Sequence, residues 1–246
     1  MSPMLIIAKR EFRSYFDSPL AYVVICVSFL ALGIMFFFFR GGFWQADRAT
    51  VGPMLELYVP VGLGVLVVPV VTMRLMAEEK RSGTLEMLIT LPVRDSDVVV
   101  GKYLGALGLV VTLVTVTLVY PLVMFHWPWN LGPLDMGPVW SGYLGLVLFS
   151  AACVAIGLLV SSLTDSQAVA FFITVFVLGG FVWFAGWLSD VIGGTTANVL
   201  SYLSFSTHLE GFARGLVDTR DIVFFLSVTG LALVVAFRAL ERRKWA

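Results

Sequence analysis

The residues able to do chemistry are few, and none stands at a spacing that does it. Gly101-Lys102 is the sole Gly-Lys pair in the chain, but Tyr103 follows where a P-loop needs Ser or Thr on magnesium, and Ser96 holds the place of its first glycine. ATP is not bound here by that route. Neither a GxSxG elbow nor an HExxH pair occurs, and no Ser, His and Asp lie in a nucleophile arrangement. His208 has no His, Cys or acidic neighbour at metal-ligand spacing, so a metal site is not expected. Cys26 and Cys153 lie within apolar runs and read as small buried hydrophobes. Ion-coupled carriers keep an ionisable group inside the membrane to exchange a proton or hold a cation. Here Glu56 and Arg74 stand at the two ends of one apolar run and read as interface residues, which disfavours a carrier of that kind. Catalysis on this polypeptide is not expected, and no cofactor is called for.

The elements that carry these residues follow from composition. A domain folded in water has about a quarter of its residues charged, whereas these 246 residues are 13% charged and 59% hydrophobic, with mean hydropathy +0.94. No Asp, Glu, Lys or Arg occurs between Asp17 and Arg40, Lys102 and Asp135, Asp135 and Asp165, or Asp165 and Asp190. Each gap exceeds the roughly 20 residues that cross the hydrocarbon layer as a helix. Two shorter gaps, Glu56 to Arg74 and Asp221 to Arg238, are bounded by charges that can sit among headgroups. The pattern predicts an all-α polytopic membrane protein with six transmembrane helices, near 20–39, 55–75, 100–125, 139–161, 167–188 and 221–240. The runs lack the period-two alternation of barrel strands. The first run is too long, and ends too abruptly in FFFFR, for a cleaved signal.

An even number of spans places both termini on one side. Twelve of the 16 basic residues (Lys9, Arg10, Arg13, Arg74, Lys80, Arg81, Arg94, Lys102, Arg238, Arg242, Arg243 and Lys244) fall on that side, and four (Arg40, Arg48, Arg214 and Arg220) on the other. The positive-inside rule therefore predicts cytoplasmic termini, a cytoplasmic 76–100 segment and a cytoplasmic 162–166 turn in the inner membrane. A net charge of zero argues against a nucleic-acid partner.

Residues 1–19 read as an interfacial helix, with Leu5, Ala8, Phe12, Tyr15 and Phe16 on one face and Pro19 ending the pattern. Residues 189–220 read as an outer amphipathic segment of one or two short helices. Trp127, Trp129 and Trp140 suit an aromatic belt. Gly101 and Gly105 are spaced for close helix approach, a pattern common in any bundle. Between the second and third spans, Glu78, Glu79, Lys80 and Arg81 precede an amphipathic turn in which Leu85, Leu88 and Ile89 share a face. Thr84 or Ser82 can cap that turn, Leu91-Pro92 ends it, and Asp95 leads into the third span. Such a helix suits a groove on another protein or the surface of the lipid.

The run EEKRSGTLEMLITLPVRDSDVVVGKYLG resembles the segment after the second span of type-2 (ABC-2) ABC transporter permeases. Its pattern is acidic-basic, then Gly-Thr-Leu-Glu, Leu and Pro, with Gly-Lys opening the third helix. The start KREFRSYFDSPLAYV, the LTDSQA turn and THLEGFARGLVDTRDI are similar to the same family, most of all to its gliding-motility-associated branch, with the nitrous-oxide-reductase maturation permeases nearby. The resemblance implies a single ABC-2 transmembrane domain over 1–246 and a coupling helix within Glu78 to Pro92 that docks on a separate ABC ATPase subunit. Glu78, Glu79, Arg81, Gly83, Thr84, Leu85, Glu86, Leu88 and Pro92 would form that contact, with a second contact at Thr164, Asp165 and Ser166. ATP and magnesium would reside on the ATPase. A second permease copy or paralogue would pair through the first and fifth spans, and a periplasmic auxiliary protein would supply any receiver domain. Two functions follow from the resemblance: ATP-driven export, or transmission of ATPase movement to an envelope or gliding-motility machine without transport.

Overall fold

The computed structural model describes residues 2–38, 52, 54–83, 94–125, 135–192 and 194–242. They are helical, with no strand among them, and include six helices long and apolar enough to cross a membrane: Ala21–Phe38, Met54–Ser82, Asp95–Met124, Met136–Leu163, Gln167–Ser189 and Thr219–Glu241. An amino-terminal helix, Pro3–Asp17, precedes them.

The fourth span is the axis of the bundle. It is 72% buried and packs against the second, third, fifth and sixth spans, while the first, fifth and sixth spans are only 17% to 28% buried. Phe149 and Cys153 of the fourth span, Leu109 and Leu113 of the third and Phe225 of the sixth meet in the core. Outward-facing side chains such as Phe172, Phe176, Trp183 and Leu231 are apolar, as a lipid-facing surface requires. Cys26 is exposed on the first span, unlike the buried residue expected, because that helix lies at the edge of the bundle; Cys153 is buried.

The second span is jointed. Met54–Tyr58 and Gly62–Val67 are π-helical, with the Val68 N–H bonded to the Leu63 carbonyl. Each wide segment lies just ahead of a proline, Pro60 or Pro69, whose missing N–H leaves an earlier carbonyl without its usual donor. The third span departs from its ladder at Leu118, whose N–H bonds the Thr115 carbonyl at 3.1 Å, and the Tyr120 N–H takes up, at 3.0 Å, the Thr117 carbonyl that Pro121 leaves without its usual donor.

The amino-terminal helix ends at Asp17, where Ser18 turns extended ahead of Pro19. It lies along the third span, and glycines seat it there. A Cβ at Gly101 would stand 2.9 Å from the Ile7 Cβ, one at Gly105 2.6 Å from the Glu11 Cβ, and one at Gly108 2.9 Å from the Phe12 ring. The end of the bundle holding this helix is called proximal and the opposite end distal.

At the distal end the chain forms two short helices, Gly194–Leu203 and Phe205–Ala213. The second is anchored on the fourth span: the Ser141 hydroxyl donates to the Phe212 carbonyl at 2.7 Å, and Gly145 leaves room for the Phe212 ring.

Candidate functional site

The proximal end of the second span is where the sequence concentrates charge. The span's backbone ladder is interrupted over Met73 to Met76, and a hydroxyl from another helix occupies the gap. Ser161 Oγ, fully buried on the fourth span, accepts hydrogen bonds from the Met76 and Ala77 N–H groups at 3.1 Å each and donates to the Met73 carbonyl at 3.4 Å. Helix starts leave N–H groups without partners; here a side chain 84 positions away supplies the acceptor. One turn earlier on the fourth span, Gly157 permits this approach, since a Cβ there would lie 2.8 Å from the Thr72 Cβ.

Ala77–Ser82 then forms a short stem helix that stops at Gly83, whose φ of +72° is a left-handed conformation natural to glycine. Ser82, expected as a helix cap, is the last residue of this helix, and its hydroxyl donates to the Glu79 carbonyl at 3.3 Å. Thr84, Leu85, Glu86, Leu88 and Pro92 lie outside the described residues. Asp95 begins the third span as its first helical residue, where a carboxylate favours the helix dipole.

The charged residues of the stem differ in their contacts. Glu78 accepts from Arg74 Nε at 2.8 Å, one turn back. Glu79 reaches Lys102 of the third span, Oε1 to Nζ 2.7 Å. Lys80 donates to the Ser162 carbonyl and, at 3.4 Å, to that of Thr164, with Asp165 Oδ1 3.6 Å away. Arg81 is exposed. The stem thus meets the turn after the fourth span, bringing Glu78, Glu79 and Gly83 into one region with Thr164 and Asp165.

Lys102, counted in the sequence among the basic residues of the cytoplasmic side, is 1% exposed, because the amino-terminal helix covers it, and its ammonium also meets Glu11 Oε1 at 3.2 Å. A buried ammonium is tolerable only when opposite charge and hydrogen bonds replace its water. Glu11 from the amino-terminal helix and Glu79 from the stem supply both. Tyr15, one turn after Glu11, donates its hydroxyl to the Val71 carbonyl at 3.1 Å, and burial raises its phenol well above the usual tyrosine range. Between these groups a cavity of about 180 Å³ opens, lined by Glu11, Tyr15, Arg74, Glu78, Glu79 and Lys102.

Sequence reasoning missed Glu11, Lys102 and Ser161 as members of this site and did not assign Lys80 a contact. The one legible signal was Lys102, a charge directly ahead of a long apolar run. Ser161 carried none, being one of many small residues in the fourth span.

At the distal end, His208 is not alone as expected. The chain turns at Gly215, φ +91°, and returns Asp221 to its side, Nδ1 to Oδ1 2.7 Å. Nε2 faces the Tyr202 carbonyl at 2.9 Å, and the ring stacks on Phe224 at 3.9 Å. These contacts tie the distal helices to the start of the sixth span. No group of three metal-ligating side chains occurs among the described residues.

Comparison with known proteins agrees with this architecture. A search of curated proteins gives no significant match. The family model described as "ABC-2 family transporter protein" matches residues 49–238, from before the second span to the end of the sixth. The match is to the family as a whole and does not reach the gliding-motility branch. Six membrane helices, a charged stem after the second and a family match over most of its length together place this chain in the ABC-2 transporter family, as a multi-pass membrane permease.

Proposed function

We propose that this chain is the membrane-spanning subunit of an ATP-driven exporter in the cytoplasmic membrane, with both termini in the cytoplasm. Residues 1–246 act as one transmembrane domain. A separate ABC ATPase subunit holds ATP and magnesium and docks on the segment that continues the stem, with Thr84, Leu85, Glu86, Leu88 and Pro92 at the contact and Thr164 and Asp165 beside it. A second permease copy or paralogue completes the path, and closure of the ATPases moves the stems and switches the opening from inward to outward. This chain does no chemistry itself.

The observation that carries the reading is the fastening of the stem. A loop that merely joined two spans would have no need of a buried hydroxyl, a desolvated lysine and a two-glutamate clamp at its base. A lever that must deliver displacement to the bundle needs all three, because a load applied at its tip is otherwise lost in local bending. The test is co-expression with the candidate ATPase, followed by pull-down and ATP hydrolysis, comparing the wild type with Glu86→Arg and Leu88→Asp. The ATPase is expected to co-purify with the wild type and to be lost from both variants; equal capture and equal hydrolysis by all three would refute the docking assignment.

A further inference from the structure

The stem follows the second span in sequence, yet its bonds lead elsewhere. In an unbroken helix the Met76 and Ala77 N–H groups would close onto the Thr72 and Met73 carbonyls. Both go to Ser161 of the fourth span instead, and a side chain inserted into the ladder is a recognised origin of a kink. Met76 itself departs from helical dihedrals, with φ −121° and ψ −38°. Behind this break the second span has two π-helical segments and two prolines, each a point at which it can flex.

The fourth span differs in every one of these respects. Met136–Leu163 is a continuous α-helix of 28 residues, about 42 Å at 1.5 Å per residue, long enough to run from one end of the bundle to the other. The only proline inside it, Pro138, stands in the first turn, where no ladder bond is lost. At the proximal end it holds the stem through Ser161, Ser162 and Thr164, with Lys80 4% exposed in the clamp. At its distal end it holds the helix Phe205–Ala213 through Ser141 and the Phe212 carbonyl.

We propose that displacement of the stem is delivered to the fourth span, and through it to the distal helices, with Ser161 and Lys80 as the positioning residues that make the connection, while the second span yields at Met73 to Met76. The inference rests on the coupling function proposed above and adds the route by which movement crosses the membrane. Replacing Ser161 by alanine has two consequences. The stem loses its backbone attachment to Ser161 and is held to the fourth span by Lys80 alone, and the Met76 and Ala77 N–H groups return to the second span's own carbonyls.

The test uses the full chain in complex with its ATPase in lipid nanodiscs, with hydrogen exchange of backbone amides followed with and without a non-hydrolysable ATP analogue. In the wild type, the analogue is expected to change exchange in the stem and in Phe205–Ala213. In Ser161→Ala, the stem response persists, the distal response falls, and a new response arises in the second span over 54–72. Ser161→Thr, which keeps the hydroxyl, restores the wild-type pattern. Lys80→Met weakens the distal response in the same direction and serves if Ser161→Ala does not fold. An unchanged distal response in both Ser161→Ala and Lys80→Met, or none in the wild type, overturns the route while leaving the coupling function standing, because the ATPase still co-purifies. Failure of the wild type to capture the ATPase refutes the coupling function itself, and the route with it.

Discussion

Replacing Lys102 with methionine tests the proximal clamp most sharply, because it removes one charge and leaves two. Lys102 is 1% exposed, and the Glu11 and Glu79 side chains that meet it are only 15% and 20% exposed. In the variant Glu79 loses the cation that meets it in a desolvated site, and Glu11 keeps only the exposed Arg10, 3.2 Å away. Removing one member of a buried ion pair costs about 3–5 kcal/mol, whereas exposed pairs are worth about 0–1 kcal/mol. Arg238 and Glu241 at the end of the sixth span, 2.9 Å apart with the arginine 73% exposed, provide an internal control of the second kind. Reversible unfolding of the reconstituted protein is expected to show a loss of about 3–5 kcal/mol for Lys102→Met and under about 1 kcal/mol for Arg238→Met. The triple variant Glu11→Gln, Glu79→Gln, Lys102→Met should regain most of the loss, since the only charge then left without its partner is the exposed Arg10. Equal, small losses in Lys102→Met and Arg238→Met would refute the burial argument, and with it the yoking of the amino-terminal helix to the stem.

Two further outcomes follow from the same region. Gly105→Leu puts atoms where Glu11 Cβ and the Ala8 carbonyl already stand, at 2.6 and 3.1 Å from the new Cβ, so the amino-terminal helix should lift from the third span at a cost of about 1–3 kcal/mol and become cut faster by trypsin at Lys9, Arg10 and Arg13; unchanged cleavage would contradict the packing. Tyr15 has a folded-state pKa above its unfolded value of about 10, so it contributes stability that is fully present below pH ~10 and is lost as pH rises further, at up to about 1.4 kcal/mol per unit; the difference between the wild type and Tyr15→Phe should show that slope, and parallel curves would contradict it.

How much of this was legible in the sequence varied with the physics behind each feature. The spans were legible because hydrocarbon tolerates few charges, so gaps such as Lys102 to Asp135 mark a helix whatever its neighbours do. Their ends were less so: the expected limit at 75 for the second span misses that Ala77–Ser82 extends the same path beyond the break at Met73 to Met76. The break depends on Ser161, a contact across 84 positions that no local pattern encodes. Gly101 and Gly105 showed that something packs closely on the third span, but not that it is the amino-terminal helix, since glycine spacing specifies approach and not partner. The Glu11, Glu79 and Lys102 clamp was hidden for a related reason. Each residue also suits a solvated face, and only the fold shows that Lys102 is covered. His208 and Asp221 meet because a left-handed turn at Gly215 reverses the chain, and that reversal cannot be counted from helical periodicity.

The central claim is that the stem faces the cytoplasm and receives the ATPase, and one labelling measurement addresses both parts. Ser82, exposed at the end of the stem, is changed to cysteine in a background with Cys26→Ser and Cys153→Ala, and membrane vesicles of each orientation are treated with a membrane-impermeant maleimide. The account predicts labelling only in inside-out vesicles, and protection from it when the ATPase subunit is added. Labelling only in right-side-out vesicles, or full labelling of inside-out vesicles with the ATPase bound, would contradict it.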